Sequence, residues 1–248
     1  MDPEVGRLTG DDIGPGRFPE TQAIITNFDL VTGHKQDLLG KKVLITAGGT
    51  REAIDPVRFI GNRSSGKQGI ALAKAARDRG AQVQLIAANC DVADLKGIDV
   101  IEVETTSQMQ NALQSHFDQC NILIMSAAVA DARPSHVAQE KIKKASLSSI
   151  ELEANPDLLA EITARKSTQV LVGFAAETKD HLQEARRKLE SKGLDLIYVN
   201  DVSGGAIFGQ DQTMGTILLR NDADIAVKEV SKDALGNLLL DHAIRQLG

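Results

Sequence analysis

Cysteine is scarce in this chain of 248 residues: Cys90 and Cys120 stand apart in apolar surroundings, with no C-x-x-C pair and no Cys/His cluster. That pattern excludes a disulfide framework and a zinc site, and it fits a reducing cytoplasm. An excess of positive charge is also missing. With 28 Lys and Arg against 34 Asp and Glu, the formal net charge is −6, which argues against a general nucleic-acid binder but leaves room for local basic clusters that hold small anions. No apolar run reaches the roughly 18 residues that span a bilayer, and the acidic, glycine-rich start is unlike a signal or transit peptide. There is one tyrosine. Tyr198 lies in an apolar stretch without a lysine four residues on, so a Tyr-x-x-x-Lys hydride-transfer pair cannot be built. What is present, 42% hydrophobic and 25% charged residues, suffices for one generous α/β domain with a buried core and small-molecule partners.

Residues 1–40 are dense in Gly, Pro and Asp ("RLTGDDIGPGRFPE") and read as an extended arm with one short helix over residues 21–30. From Lys41 the pattern changes. "KKVLITAG" is a continuous apolar strand, "GKQGIALAKAARDRG" an amphipathic helix stopped by Gly80, and "AQVQLIAA" a second strand, which together make a βαβ unit. Alternation continues through "DVIEVE", "TSQMQNALQSHFDQ" and "NILIMSAAVA", is interrupted by a polar insertion containing the basic "KIKK" (Lys141, Lys143, Lys144), and resumes with "NPDLLAEITAR", "QVLVGFAAE", "HLQEARRKLESKG", "LDLIYVN" and "GTILLR" before a closing helix. The expectation is a doubly wound, mainly parallel, Rossmann-like sheet with a basic flap insertion. Ligands of such sheets sit at the carboxyl ends of the strands, which directs attention to the loops "TAGGTREAIDPVRFIGNRSSGKQG", "SAAVADARP", "GFAAET" and "VNDVSGG".

The first of these loops contains G-x-x-x-x-G-K from Gly61 to Lys67, but Gln68 stands where a P-loop needs a hydroxyl for Mg²⁺, and the loop is far longer than a P-loop turn. A nicotinamide-dependent oxidoreductase is the alternative, since a Gly-rich loop after the first strand also describes a pyrophosphate site. It lacks an acidic residue at the tip of the second strand, which ends "LIAANCD". What remains is "SSGKQG", where hydroxyls, helix N–H groups and the helix dipole meet at an anion site. A Gly-Ser turn that merely joins strand to helix explains Gly66 and Gly69; it leaves the polar insertion before them unexplained.

Taken in order, "ITAGGTREAIDPVRFIGNRSSGKQG", "SAAVAD", "EKIKK", "NPDLL", "GFAAET" and "LDLIYVND" resemble the bacterial phosphopantothenoylcysteine synthetase domain of coenzyme A biosynthesis over about residues 41–246. The resemblance implies a ligase that joins 4′-phosphopantothenate to L-cysteine with CTP and Mg²⁺ through an acyl-cytidylate, working as a homodimer. The arm is similar to the end of the flavin-dependent decarboxylase domain often fused ahead of the synthetase, with Thr9 where that domain carries a catalytic cysteine. The expected division is thus an arm, 1–40, and a ligase domain, 41–248. No decarboxylase activity is expected; the chain reads as a fragment of a fused enzyme or a stand-alone synthetase with a vestigial arm.

The resemblance also assigns residues. Asn62 matches the asparagine associated with the acyl-cytidylate and its conversion; by itself it reads as a turn residue. Ser64, Ser65 and Gly66 are candidate phosphate contacts, and Lys67 is left open between a phosphate contact and a solvated side chain. Lys141, the first lysine of the basic run, is assigned to the triphosphate and the transition state, where pattern alone gives a solvated edge or a lid. Asp131 is placed at the nucleotide, directly or through Mg²⁺. Asn155 reads as a helix N-cap with Pro156 at N1 and Asp157 following, and the resemblance puts this segment near the cytosine. Phe174 is expected against the base, with a core phenylalanine as the plain alternative. Lys188 and Lys192, at i and i+4, match nucleotide-contacting lysines. Backbone groups of Ala127 and Ala128 and the side chain of Arg58, with Arg51 and Arg63 as alternates, are the candidates for phosphopantothenate.

Overall fold

A computed structural model of the chain describes residues 4–7, 12–19, 21, 24, 35–93, 95–143, 148–177, 181–201 and 211–247. Its centre is the strand β3 (Lys42–Gly48), buried at all but its first residue. A strand covered on both faces has no polar side to alternate with, which is why "KVLITAG" reads as an unbroken apolar run. Around it lie β6 (Gln82–Ala88), β7 (Asp99–Val103), β8 (Ile122–Met125), β11 (Val170–Glu177), β12 (Leu196–Asp201), β13 (Gln212–Leu219) and β14 (Ile225–Ser231). They form an eight-stranded sheet in the order β14-β13-β12-β11-β8-β3-β6-β7. From β7 to β12 the pairs are parallel, and β13 and β14 close one edge antiparallel.

The chain winds outward from β3 to β7, then returns to the other side of β3 at β8, so the strand order reverses between β3 and β8. Their carboxyl ends splay there and leave a crevice. Helices α1 (Lys67–Asp78) and α5 (Lys232–Gln246) cover one face, joining Leu72, Ala76, Leu239 and Leu240 to Val43, Ile45 and Ala47 of β3. On the other face, α2 (Thr106–His116), α3 (Leu158–Thr163) and α4 (His181–Ser191) bring Met109, Leu113, Ile162 and Leu189 onto Leu44 and Leu123. Gly69 lets α1 lie against β3, because a Cβ there would sit 2.5 Å from the Cβ of Ala47.

Several elements differ from expectation. The arm contains an antiparallel hairpin of β1 (Glu4–Arg7) and β2 (Ile13–Arg17), invisible in a stretch so rich in Gly and Pro. The expected helix over residues 21–30 lies almost wholly outside the described residues. The core also reaches back past Lys41: Leu38 is fully buried, and Arg79 pairs with Asp37 at 2.6 Å. The long loop after β3 folds into a second hairpin, β4 (Arg51–Ala53) with β5 (Phe59–Gly61), and the polar insertion is bracketed by a third, β9 (Ala132–Pro134) with β10 (Leu152–Ala154). Strand β14 is the member of the main sheet missed by pattern, since only Val227 along it is buried and its alternation is weak. Residues 141–143 of the basic run take no regular structure.

Candidate active site

Two adjoining cavities, of about 410 and 440 Å³, open at the crevice and share Ala127, Val129, Phe174 and Lys188 as a dividing wall. The first lobe is lined by Asn62, Ser64, Ser65, Gly66 and Lys67, all from the loop end and the start of α1. Gly66 is in the left-handed region (φ +74°), and a Cβ on it would lie 2.5 Å from Cys90 Cβ, so glycine is needed twice over. Helices α2, α3 and α5 are capped by the side chains of Thr105, Asp157 and Ser231, whereas α1 has no side-chain cap. Its first N–H groups therefore face the lobe, together with the positive end of the helix dipole. Asn62 donates from Nδ2 to the Val129 carbonyl at 3.0 Å, which ties the α1 loop to the wall.

The loop after β8 forms that wall and is braced from several sides. Ala127 N–H donates to Thr46 Oγ1 (3.1 Å), Ala128 N–H to the Gly48 carbonyl (2.9 Å) and Ala130 N–H to Thr50 Oγ1 (2.8 Å). The Ala128 carbonyl in turn accepts from Thr50 N–H. The backbone groups of Ala127 and Ala128 expected to meet a substrate are thus largely engaged inside the fold; what these residues present to the lobes is small side chains that permit close approach.

The second lobe gathers Asp131, Asn155, Pro156, Asp157 and Lys192 around the wall. The helix signal is displaced here. Asp157, not Asn155, is the N-cap of α3, accepting from Ala160 N–H at 2.9 Å, so Pro156 precedes the helix rather than opening it. Asn155 instead donates from Nδ2 to the Ala130 carbonyl (2.8 Å) and Thr106 Oγ1 (3.2 Å), and accepts from Arg133 Nη1. Lys192 follows the last residue of α4, yet its N–H still bonds the Lys188 carbonyl at 3.0 Å, which keeps both lysines on one side. The Lys192 ammonium pairs with Asp157. Burial alone would raise the Asp157 pKa, but the hydrogen bond from Lys192 and the N–H of Ala160 outweigh it, and the carboxyl is held below its usual value. Phe174, half-buried on the wall, meets Tyr198 edge-on with ring centroids 5.7 Å apart.

Arg58 and Lys141 lie outside both lobes. Arg58 Nη2 donates to the Ile142 carbonyl (2.6 Å) and pairs with Asp55 (3.0 Å), while the buried Asp55 carboxylate accepts from the N–H groups of Val57, Arg58 and Ile142. Burial pushes that carboxyl up; these N–H donors and the guanidinium overcome the effect and lower it. Both backbone groups of Ile142 are held by this pair, with Lys141 and Lys143 exposed on either side. Arg51 stacks over the Phe59 ring at 4.7 Å. Of the three candidate arginines, only Arg63 lines a lobe.

Pattern reasoning missed two groups. One is a buried polar network: Glu52 accepts from both the N–H (2.8 Å) and hydroxyl (2.7 Å) of Thr106, which lies 3.2 Å from Thr50 Oγ1. The other is Asn200, Thr213 and Lys232, which line the first lobe from strands and a helix more than a hundred residues away from α1. Isolated Glu, Thr and Lys residues carry no local signal of such meetings. Among the described residues no group of three or more His, Cys, Asp or Glu is arranged to hold a metal ion; Asp131 is an exposed carboxylate at the second lobe. No described helix is long and apolar enough to cross a membrane.

Comparison with known proteins follows the same outline. The coenzyme A biosynthesis bifunctional protein CoaBC of Mycolicibacterium smegmatis is 44% identical over 258 residues, and that of Escherichia coli 39% over 250. These alignments take in 97% and 98% of this chain but 62% and 61% of the relatives, so the chain spans about three fifths of their length. The crystal structure of the C-terminal domain of a coenzyme A biosynthesis bifunctional protein CoaBC superposes with a TM-score of 0.75 at 33% identity, covering 86% of this chain and 98% of that domain. Residues 38–247 match the DNA/pantothenate metabolism flavoprotein C-terminal domain. The central sheet, its crevice and nearly the whole described domain fall within that match, and the chain belongs to this family.

Proposed function

We propose that the chain is a ligase of coenzyme A biosynthesis that joins 4′-phosphopantothenate to L-cysteine with CTP, releasing pyrophosphate and then CMP. The observation that carries the reading is the shared wall. Two cavities divided only by Ala127, Val129, Phe174 and Lys188 suit a nucleotide whose base and sugar occupy one lobe while its phosphates cross into the other. Family membership supports the same choice over a nicotinamide enzyme. So does Asn89, at the end of β6, whose side chain donates to the Gly49 and Glu104 carbonyls where a dinucleotide site would need an acidic group for the ribose.

In this reading the nucleoside lies in the lobe of Asp131, Asn155, Pro156, Asp157, Phe174 and Lys192, and the phosphates meet Ser64, Ser65, Gly66 and Lys188. The phosphopantothenate carboxylate attacks the α-phosphorus of CTP, the bond to the pyrophosphate oxygen breaks, and pyrophosphate departs with the electron pair. The cysteine amine then attacks the acyl carbon, loses a proton, and CMP leaves. The first step brings two negatively charged groups together and the second builds negative charge on the acyl oxygen, so positioning and fixed donors dominate. Asn62 donates to the acyl oxygen as charge develops, without a protonation requirement. Lys141, exposed outside both lobes beside the anchored Ile142, offsets the charge of the triphosphate in this reading. Asp131 meets the nucleotide from the second lobe, directly or through the magnesium ion that would accompany the triphosphate as part of the substrate. Phosphopantothenate binds along Ala127 and Ala128, with Arg63 the best placed arginine.

A homodimer is part of the proposal. Val57 and Phe59 at the tip of one hairpin, and Val137, Ile150 and Leu152 by the next, are exposed at 38–62%, and the Ile54 carbonyl joins the two regions through Ala138 N–H. Apolar side chains grouped in this way suit contact with a second copy. The arm fits fusion to, or association with, a flavin-dependent decarboxylase, and a cytoplasmic setting follows from the pathway. Incubation with CTP, Mg²⁺, phosphopantothenate and cysteine tests the reading: pyrophosphate and CMP are expected in equal amounts. Absence of release with both CTP and ATP refutes it, and sedimentation at monomer mass refutes the dimer.

A further inference from the structure

Helices α1 and α5 begin side by side and run in the same direction. Gln68 Nε2, in the first turn of α1, donates to the Lys232 carbonyl at the start of α5 (3.2 Å), and Arg79 Nη1, just past the end of α1, donates to the Asn237 carbonyl farther along α5 (3.0 Å). Two parallel dipoles therefore present their positive ends together. Each helix also opens with a lysine, and Lys67, Lys232 and Lys188 all line the first lobe. Like charges gathered at two helix starts repel one another. Burial and the nearby Lys67 hold the Lys232 ammonium below its ordinary pKa, against a smaller opposing pull from Asp211. Asp211 pairs with Lys67 at 2.7 Å, but its side chain is 88% exposed at the rim, where water weakens the attraction. In a chain of net charge −6, such a concentration of cations inside a cavity suits an anion of more than one charge.

We propose that Lys67 and Lys232 form a clamp for a phosphate dianion at the joint start of α1 and α5, with the uncapped N–H groups of α1 completing it. Naming the owner of the phosphate rests on the ligase reading: it is the phosphate monoester of the acid substrate or the tail of the nucleotide triphosphate. The clamp itself requires only phosphate chemistry. Asp211 is then a stand-in that holds Lys67 until the dianion displaces it.

Calorimetric titration of the full chain with inorganic phosphate and with pyrophosphate tests the clamp independently of turnover. Lys232→Gln and Lys67→Gln are each expected to weaken binding about tenfold or more, as loss of a charge-assisted hydrogen bond implies. Lys232→Arg should stay within about threefold of the parent, and Asp211→Asn should bind more tightly. A merely structural Lys67–Asp211 pair would not give that last sign. Unchanged binding by a Lys232→Gln protein that melts normally overturns the clamp, as does failure of the parent chain to bind either ion at about 10 mM. In the ligase assay, a raised KM for phosphopantothenate, with lost preference over dephosphorylated pantothenate, assigns the monoester; a raised KM for CTP assigns the triphosphate. If neither KM rises in a turning-over Lys232→Gln enzyme, the clamp is wrong. If the parent does not turn over while the ion titrations behave as expected, it is the ligase reading that fails.

Discussion

Thr106 is the residue through which the second lobe hangs on the core, and replacing it by valine removes one atom's worth of chemistry while keeping its shape. Thr106 is fully buried at the start of α2. Its hydroxyl donates to Glu52 at 2.7 Å, accepts from Asn155 at 3.2 Å and touches Thr50, which itself receives the Ala130 N–H. The hydrogen bond to the carboxylate is worth about 1.5–3 kcal/mol, and leaving the Thr50 hydroxyl and the Asn155 amide each short of a partner costs on the order of 1 kcal/mol more. A buried methyl in the same place returns about 0.8 kcal/mol. The expected net loss is about 3 kcal/mol for Thr106→Val, measured by urea unfolding of the full chain. Thr106→Ser, which keeps the hydroxyl and loses only a methyl, should cost about 1 kcal/mol. Ala130 and Asn155 both border the second lobe, so the valine variant should also bind nucleotide less tightly than the serine variant. The reasoning is refuted if valine costs under about 1 kcal/mol, or if serine costs as much as valine.

Three further outcomes are expected. Gly69→Ala forces a methyl to within 2.5 Å of Ala47 Cβ and 3.0 Å of the Thr46 carbonyl, and should cost about 1–3 kcal/mol in thermal or urea unfolding; a neutral result would mean that α1 can move off β3 freely. In quenched turnover with labelled CTP, Asn62→Asp should accumulate the acyl-cytidylate while Lys141→Gln releases little pyrophosphate, each losing on the order of a hundredfold in rate; equal accumulation by both variants refutes the division of roles. Asp157 titrates below its usual 3.8 in the fold because Lys192 and the Ala160 N–H outweigh its burial, so its contribution to stability is present above the unfolded value and is lost as pH falls through the folded one. The stability gap between the parent chain and Asp157→Asn should accordingly narrow as pH falls below about 4, and a gap that does not narrow on acidification would show that the carboxylate is not its source.

The parallel body of the fold was legible because burial on both faces writes itself as apolar runs: β3, β6, β11 and β12 could each be placed within a residue or two from their composition. Helix α1 was equally plain, its apolar side recurring through Ile70, Ala73 and Leu72 up to the glycine stop. Strand β14 was not, since an edge strand with a single buried residue offers almost no alternation to detect. The hairpins β1–β2 and β4–β5 escaped for a related reason. Their strands are only three to five residues long, too short for a period to establish itself in polar, glycine-rich sequence.

For the candidate site, a division runs between residues adjacent along the chain and residues adjacent only in space. Asn62, Ser64, Ser65 and Gly66 could be grouped from one loop, whereas nothing in the sequence couples Glu52 to Thr106, or Lys67 to Lys232. Arg58 shows how proximity in sequence misleads: it stands four residues before Asn62, yet its guanidinium turns away to Asp55 and the Ile142 carbonyl. Phe174 is the reverse case, where core packing and ligand contact looked like competing readings. The structure makes them compatible, since one edge of the ring is spent on Tyr198 and the rest divides the lobes. Lys188 belongs to the same divide. A phosphate chain crossing from one lobe to the other would therefore pass an apolar ring and an ammonium at the same point, so the wall can exclude water beside the reacting phosphorus while still supplying charge. A change at Phe174 that removed its flat ring, such as Phe174→Leu, should then impair turnover more than it impairs stability, because the Tyr198 contact is one of several that hold β11 whereas among the described residues the divide has no second ring.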